Sequence, residues 1–445
     1  MRTDRPDRDM TLVSGSSWGR YPRVQQRVVP VLDREDGLPL PDHGSVLPHG
    51  NGRSYGDSCL NPDGTLLASR ALDRFIAFDP ATGIVRCEAG ATLANIIDIA
   101  LPSGWFLPVT PGTRYATVGG AIGNDVHGKN HHRAGTFGHH IRRLQLLRSD
   151  GTRLELAPGD ASGLFEATVG GLGLTGFITW AELQLRRVPG PWIETESIRF
   201  DNLDEFFSLS RESASGFEYT VAWIDCLASG KHLGRGHFLR GDHAPGNAQA
   251  AAPSSAPRRS MPVVPPVSLV NRLTLRPFNT LYYWRQPARR ARHVSHYQSY
   301  FYPLDGINHW NRMYGPRGFL QHQCVLPPAI AHDATAALLG EIARSGRGSF
   351  LAVLKEFGDR PSPGMLSFPR PGTTLALDFP NDGADLLKML DRLDRIVSEA
   401  GGAVYPAKDA RMSGALFRQA YPAWEAFSRH IDPRFSSGFW RRVME

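Results

Sequence analysis

The chain has 445 residues, too many for one compact core, so two domains are expected. Its hydrophobic share of 41% is ordinary for a soluble globular protein, and no apolar run reaches the 18 residues a membrane span needs. Four dispersed cysteines without a CxxC exclude a zinc ribbon or disulfide scaffold, while a net charge of +7 favours an anionic ligand or surface without choosing among them.

Met1 to Arg23 is charged and lacks an apolar h-region, so no Sec signal is expected. Arg27 to Asp33 reads as a short strand. Pro48 to Asn61, PHGNGRSYGDSCLN, is a glycine-rich loop, with Gly50, Gly52 and Gly56 around Arg53, Ser54 and Tyr55. A dinucleotide fingerprint would need a periodic helix next, and Pro62-Asp63-Gly64 marks a turn instead. Phe75–Asp79 and Ile84–Glu88 flank a hairpin turn. Thr92 then caps a helix in which Leu93, Ile96, Ile97 and Ala100 recur at helical spacing, stopped before Pro102. Leu107 to Gly138 is the second glycine-rich stretch and carries Asp125, His127, Lys129, His131 and His132. Glycine there lets backbone N–H groups approach a flat or phosphorylated ligand. Leu144–Leu147 and Arg153–Leu156 form another hairpin. Leu164 to Ala167 leads into a third glycine cluster, Gly170 to Gly176, followed by a strand from Phe177 to Leu185. This first unit, residues 15–190, is α+β, and its three glycine loops are expected to meet.

From Ile193 the strands lengthen. Residues 241–267, rich in Pro, Ala and Ser, read as a mobile excursion. Leu269 to His293 mixes Leu, Phe, Tyr and Trp with Arg272, Arg276, Arg285, Arg289, Arg290 and Arg292. Such a surface suits an anionic membrane face, and an amphipathic packing segment is the plainer reading. Residues 318–409 read as a strand (Phe319–Leu326), a helix (Asp333–Arg344), strands Phe350–Phe357 and Thr373–Phe379, a helix (Ala384–Ala400) and a strand (Ala403–Ala407). That β-α-β-β-α-β order is a split ferredoxin-like unit, inside a substrate domain of residues 191–405 built on an antiparallel sheet. Alternation groups Gln321 with Gln323, Lys355 with Val353 and Phe357, and Asp378 with Thr374 and Ala376. Polar groups set among apolar ones on a central sheet need partners, so a ligand-facing wall is expected. Residues 406–445, with several aromatics, are expected to pack back on the first unit.

Three chemistries compete for the second glycine stretch. His127 and His131 have i, i+4 spacing, but Gly128 and Asn130 argue against the helix a metal site would need, and no metal is expected. A serine nucleophile lacks its Gly-x-Ser-x-Gly elbow. A flavin wrapped by three separated glycine loops, without Walker or Rossmann motifs, fits.

Gly52-Arg53-Ser54-Tyr55-Gly56-Asp57, Pro111 to Arg114 with Thr117 to Ile122, Asp125-Val126-His127-Gly128-Lys129-Asn130-His131-His132, and Ala167 to Gly176 resemble the FAD domain of the vanillyl-alcohol-oxidase (PCMH-type) superfamily. Within it they resemble the decaprenylphosphoryl-β-D-ribose 2′-oxidase family. The likeness continues through Trp310-Asn311-Arg312, Gly318 to Gln321, Leu375 to Pro380 and Ala407-Lys408-Asp409. The resemblance implies a two-domain PCMH-type fold holding FAD on Gly50, Asn51, Gly52, Arg53, Ser54, Tyr55, Gly56, Ser58 and Gly112, and on Thr117, Val118, Gly119 and Gly120. The isoalloxazine would lie against Asn124, Asp125 and His127, near Ile178 and Tyr405. Many members bond FAD covalently through a histidine in the first loop; Arg53 stands there, so non-covalent FAD is expected. His127 and Lys408 are the implied catalytic bases, and Lys129, Gln321, Gln323, Lys355 and Asp378 the substrate-binding groups. Ala376 and Phe301 depart from the cysteine and tyrosine of mycobacterial members, and Ala376 excludes thiol chemistry.

The implied substrate is a polyprenyl-phosphate-linked ribose, oxidised at its 2′-hydroxyl, with an NAD(P)H-dependent keto-reductase as partner to complete epimerisation. The implied location is peripheral, on the inner membrane, facing cytoplasm or periplasm. A sugar oxidase acting on a soluble polyol is the nearest rival. A nucleic-acid-binding module lacks any recognisable motif, and no nucleic-acid partner is expected.

Overall fold

A computed structural model describes residues 12–245 and 259–445. The first part of the chain makes two sheets. In the smaller, Val13–Ser16, Arg23–Pro30, Thr65–Ala68 and Val46–His49 lie side by side in that order. The strand expected from Arg27 starts at Arg23, because Ser16 to Val13 pair antiparallel with residues 23–26. In the larger, Phe75–Asp79, Ile84–Glu88, Phe177–Gln184, Ile141–Leu147 and Arg153–Leu156 run antiparallel throughout. Both expected hairpins are present. The Leu93–Ala100 helix buries Leu93, Ile96, Ile97 and Ala100. Thr92 accepts from the Asn95 backbone N–H at 3.2 Å while Asn95 accepts from that of Thr92 at 3.0 Å, a reciprocal cap worth about 1 kcal/mol.

The second part is organised by one eight-stranded antiparallel sheet. Its strands, numbered along the chain, are β1 (Trp192–Phe200), β2 (Tyr219–Ile224), β3 (Gly236–His243), β4 (Arg290–His296), β5 (Phe319–Leu326), β6 (Ala352–Phe357), β7 (Gly372–Pro380) and β8 (Ala403–Val404). Their spatial order is β4-β1-β3-β2-β6-β7-β5-β8. Each half therefore repeats the same β-α-β-β-α-β arrangement, and the two halves join through β2 and β6, where Ala222 and Trp223 oppose Leu354 and Val353. Sequence reading finds only the second half. The first half's second helix, Arg272–Trp284, carries apolar residues on its exposed side as well as its buried one, which obscures its period.

Two boundaries move. Gly241–His243, expected within the mobile excursion, belong to β3, and Arg259–Ser260 pair in parallel with Ile307–Asn308. Residues 246–258 of that stretch lie outside the described residues. The last strand stops at Val404 rather than Ala407, because Pro406 has no N–H to donate and Pro406–Lys408 turns as a short 3-10 helix.

The Ala331–Ser345 and Ala384–Glu399 helices cover one face of the second half, burying Leu338, Leu339, Ile342, Met389, Leu390 and Leu393. His322, on that face, meets Asp394 at 3.1 Å. The opposite face carries Gln321, Gln323, Val353, Lys355, Thr374 and Ala376, and it closes a large cavity against the glycine loops. Segment 406–445 returns to the first part: Arg434 accepts from the Val46 N–H at 2.7 Å, and Gly438 donates to Leu60 at 2.8 Å. Among the described residues no helix is long and apolar enough to cross a membrane.

Candidate active site

The three glycine loops do meet. A Cβ added to Gly50 would sit 2.3 Å from Thr117 Oγ1, so glycine is required for the first loop to reach the second. Thr117 caps the short Val118–Gly123 helix by accepting from Gly120 N–H at 3.1 Å. Gly170 and Leu172 of the third loop donate to Ile122 and Gly123 at 2.9 and 2.7 Å. Between these loops and the inner face of β5–β7 lies a cavity of about 670 Å³.

Most of the expected cofactor residues line it: Gly50 to Tyr55, Ser58, Gly112, Thr117, Gly119, Gly120, Asn124, His127, Ile178 and Tyr405. Three do not. Gly56 is pressed onto the Asp409 backbone, where a Cβ would meet the carbonyl oxygen at 1.5 Å. Val118 faces the core. Asp125 is fully buried and accepts from Gly138 N–H at 2.8 Å and Ser367 Oγ at 2.6 Å. Burial lifts its carboxyl to about 6, and its role here is to pin the His127 loop to the 362–368 segment.

The cavity fits a bound FAD on two grounds. Arg53 Nε and Ser58 Oγ, both lining it, are buried without a hydrogen-bond partner among the described residues, a cost a polar ligand would remove. The glycine loops also expose backbone along its length, where side chains would block a flat ring system. The Arg53 guanidinium packs 4.1 Å from the Trp18 ring, a contact with no sequence signal.

At the other end stands a cluster of amines and amides. Lys129, Gln321, Gln323, Lys355 and Lys408 all line the cavity with His127. Lys355 Nζ lies 2.9 Å from His127 Nδ1 and donates to the Gly128 carbonyl at 2.9 Å. On the other side of the ring, Gln323 Nε2 lies 3.0 Å from His127 Nε2. Neutral imidazole has one donor nitrogen and one acceptor. With the Gln323 amide donating to Nε2, Nδ1 carries the proton and Lys355 accepts it as an uncharged amine. Burial, with the charges of Lys129 and Lys408, lowers Lys355 to about 7, which makes that state accessible. Burial, then Lys355, His131 and Lys408, hold His127 well below the usual imidazole range.

Lys129 is lowered to about 7 by burial, bonds the Tyr300 carbonyl and lies 4.5 Å above the Tyr300 ring. Lys408 sits 3.6 Å from the Tyr55 ring centroid. Burial lowers its pKa, and the Asp378 charge opposes that shift. Asp378, expected to touch substrate, is off the cavity wall: Gln321 Nε2 donates to it at 2.5 Å, and its charge acts on Lys408. The alternation argument groups it correctly with Thr374 and Ala376, but Gln321, directly opposite in the β5–β7 register, covers it.

Arg442 lies outside every motif that the sequence singles out. It bonds Asp57 at 2.7 and 2.9 Å and Asp409 at 2.9 Å, tying the first glycine loop to the turn that carries Lys408. Nothing in local sequence signals a clamp assembled from such distant positions. The other histidines of the loop are engaged with backbone: His131 Nδ1 accepts from Gly358, and His132, His139 and His140 face the carbonyls of Phe217, Pro361 and Ala134. Among the described residues no three metal-ligating side chains converge.

A loop-lined cavity with buried amines at one end fits an FAD-dependent oxidoreductase, and residues 41–157 match the FAD binding domain family. The decaprenylphosphoryl-β-D-ribose oxidase of Mycolicibacterium smegmatis is 38% identical over 89% of each chain. A Streptomyces coelicolor protein named for its place in the mprA 5′ region is 36% identical over 79% of this chain and 99% of its own. Human Δ(24)-sterol reductase matches at 32% over 24% of this chain and 21% of its own. The chain belongs to the decaprenylphosphoryl-β-D-ribose oxidase family.

Proposed function

We propose that this protein oxidises the 2′-hydroxyl of a polyprenylphosphoryl-β-D-ribose to the keto sugar. The observation that carries the reading is the His127–Lys355–Gln323 cluster, set with Lys408 and Lys129 on the wall that faces the glycine loops. The bound FAD supplies a hydride acceptor at the flavin ring. The chain's residues do the rest. Gly50 to Tyr55, Ser58, Gly112, Thr117, Gly119 and Gly120 would hold the cofactor, with Ile178 and Tyr405 on the same cavity wall. His127 and Lys408 are the groups that take the hydroxyl proton: burial holds His127 well below the usual imidazole range and lowers Lys408 to about 7, where an uncharged fraction is present at neutral pH. Gln321 and Gln323 orient the sugar, and Lys129, next to Tyr300 and Phe301, faces the phosphate. Lys355 acts through His127.

On this reading residues 15–190 hold the cofactor, 191–405 hold the substrate on two ferredoxin-like units, and 406–445 lock the two together. FAD is bound without a covalent link, since Arg53 stands at the linking position. An NAD(P)H-dependent reductase consumes the keto product to complete epimerisation, and the protein works at the face of a membrane. Anaerobic bleaching of the flavin by polyprenylphosphoryl ribose, with a product two mass units lighter than substrate, is the test. Bleaching by free polyols at equal rate would instead establish the soluble-sugar oxidase.

A further inference from the structure

The net charge of +7 is concentrated in one segment. From His243 to Leu304 the sequence holds eight arginines and no aspartate or glutamate, so the rest of the chain balances to within a single charge. Within that segment, the Arg272–Trp284 helix is apolar on two opposite sides. Leu275, Asn279 and Tyr283, four apart, face the body of the protein, where Asn279 donates to Asp225 at 3.1 Å and Tyr283 to Asp201. The opposite side presents Leu273, Leu281 and Trp284, which are 86%, 72% and 55% exposed, with Pro277 between them. A helix bordered by water is polar on its outer side. The stretch leading into the helix adds exposed Val263, Val267 and Leu269. Arg276 and Arg290 are exposed nearby, with no ion pair among the described residues.

The same helix reaches the active site. Tyr282 and Arg285, from its last turn, and His293 of β4 line the cavity, whose wall continues through Tyr300 and Phe301 to Lys129. An apolar stripe rimmed by unpaired arginines, at the mouth of a catalytic cavity, matches the interface of an anionic bilayer: aliphatic and indole groups enter the acyl boundary and guanidinium groups meet lipid phosphates. Nucleic acid would use the arginines but leave Leu273 and Leu281 in water.

We propose that the Arg272–Trp284 helix is a membrane-docking element that seats the cavity mouth on an anionic lipid surface. Resting on the substrate reading above, this placement lets a polyprenylphosphoryl sugar enter without its lipid tail leaving the bilayer.

The test is co-sedimentation of the full-length FAD-loaded protein with vesicles of phosphatidylglycerol and phosphatidylcholine, against phosphatidylcholine alone. The expected result is binding to the anionic vesicles that weakens as salt is raised. The L273S/L281S/W284S variant lowers that affinity by about tenfold or more, and R276Q/R290Q lowers it severalfold with a shallower salt dependence. Neither variant alters a cavity-lining residue, so both retain flavin absorbance and turn over a short-chain, water-soluble ribosyl phosphate at the parent rate. Should the triple variant lose its flavin, R276Q/R290Q alone decides. The proposal is overturned if the parent ignores anionic vesicles, if folded variants bind like the parent, or if duplex DNA is bound more tightly than vesicles with the same dependence on Arg276 and Arg290. Failure to oxidise the short-chain substrate, with vesicle binding as expected, would remove the substrate reading and leave the docking element standing.

Discussion

Lys355 Nζ lies 2.9 Å from His127 Nδ1, joining two residues 228 positions apart across the seam between the cofactor loops and the large sheet. The pair makes the protonation state of the imidazole depend on that of the amine. Below about pH 7 Lys355 is charged and helps hold His127 low, so Lys355→Met raises the His127 pKa. The expected outcome is a fall in the rate of flavin reduction of about 10²-fold or more, with the acid limb of the pH–rate profile moved to higher pH. Stopped-flow flavin bleaching across pH checks it; an unchanged profile would separate Lys355 from the proton transfer.

Asp378 is covered by Gln321 and acts on Lys408 through its charge, so Asp378→Asn should act through charge rather than contact. Its carboxylate raises the Lys408 pKa, and its loss lets burial lower that pKa further. Expected are a limb of kcat/KM against pH displaced to lower pH and a KM that barely changes. A large KM increase with an unmoved pH profile would return Asp378 to substrate contact.

The buried lysines set a pH dependence of stability. Lys129 and Lys355 titrate near 7 when folded and at the ordinary 10.5 when unfolded. Between those values the unfolded chain binds more protons, so stability rises with pH, by at most about 1.4 kcal/mol per pH unit per lysine. The window closes near the ordinary cysteine pKa of 9.0, because Cys87, Cys226 and Cys324 stay protonated in the fold, pushed up to about 12. Thermal melting should therefore move upward from pH 7 to 8.5, and Lys129→Met should flatten that slope. A slope that the substitution leaves intact would place the titrating groups elsewhere.

Arg442 holds two carboxylates, and Arg442→Met leaves both without their cation. Removing one partner of such a buried arrangement costs on the order of 3 kcal/mol. Equilibrium unfolding in urea measures the loss. The FAD dissociation rate should rise with it, because Asp57 anchors the first glycine loop.

Arg53 cannot form the covalent flavin bond that a histidine forms. Acid precipitation should leave all of the yellow colour in the supernatant, and flavin retained on the washed pellet would refute the assignment of that loop.

Local physics was legible in the sequence. The Leu93–Ala100 helix declares itself by its cap and its four-residue period, and the two hairpins by their turns, because short-range hydrogen bonding decides them. Alternation along β5 assigned Gln321 and Gln323 to one face, since the pleat has a period of two whatever lies opposite. The glycine loops announced a ligand through residues whose value lies in the missing side chain. Tertiary structure alone decided which polar groups face the cavity. Asp125 turns inward to the Gly138 N–H and the Ser367 hydroxyl, and Asp378 is covered by its register partner Gln321. It also assembled the His127–Lys355 pair, the Arg442 clamp and the doubled sheet, and it turned an aromatic-basic stretch into a helix with an exposed apolar side. Those features depend on which distant segments pack together, and no local period in the chain encodes that choice.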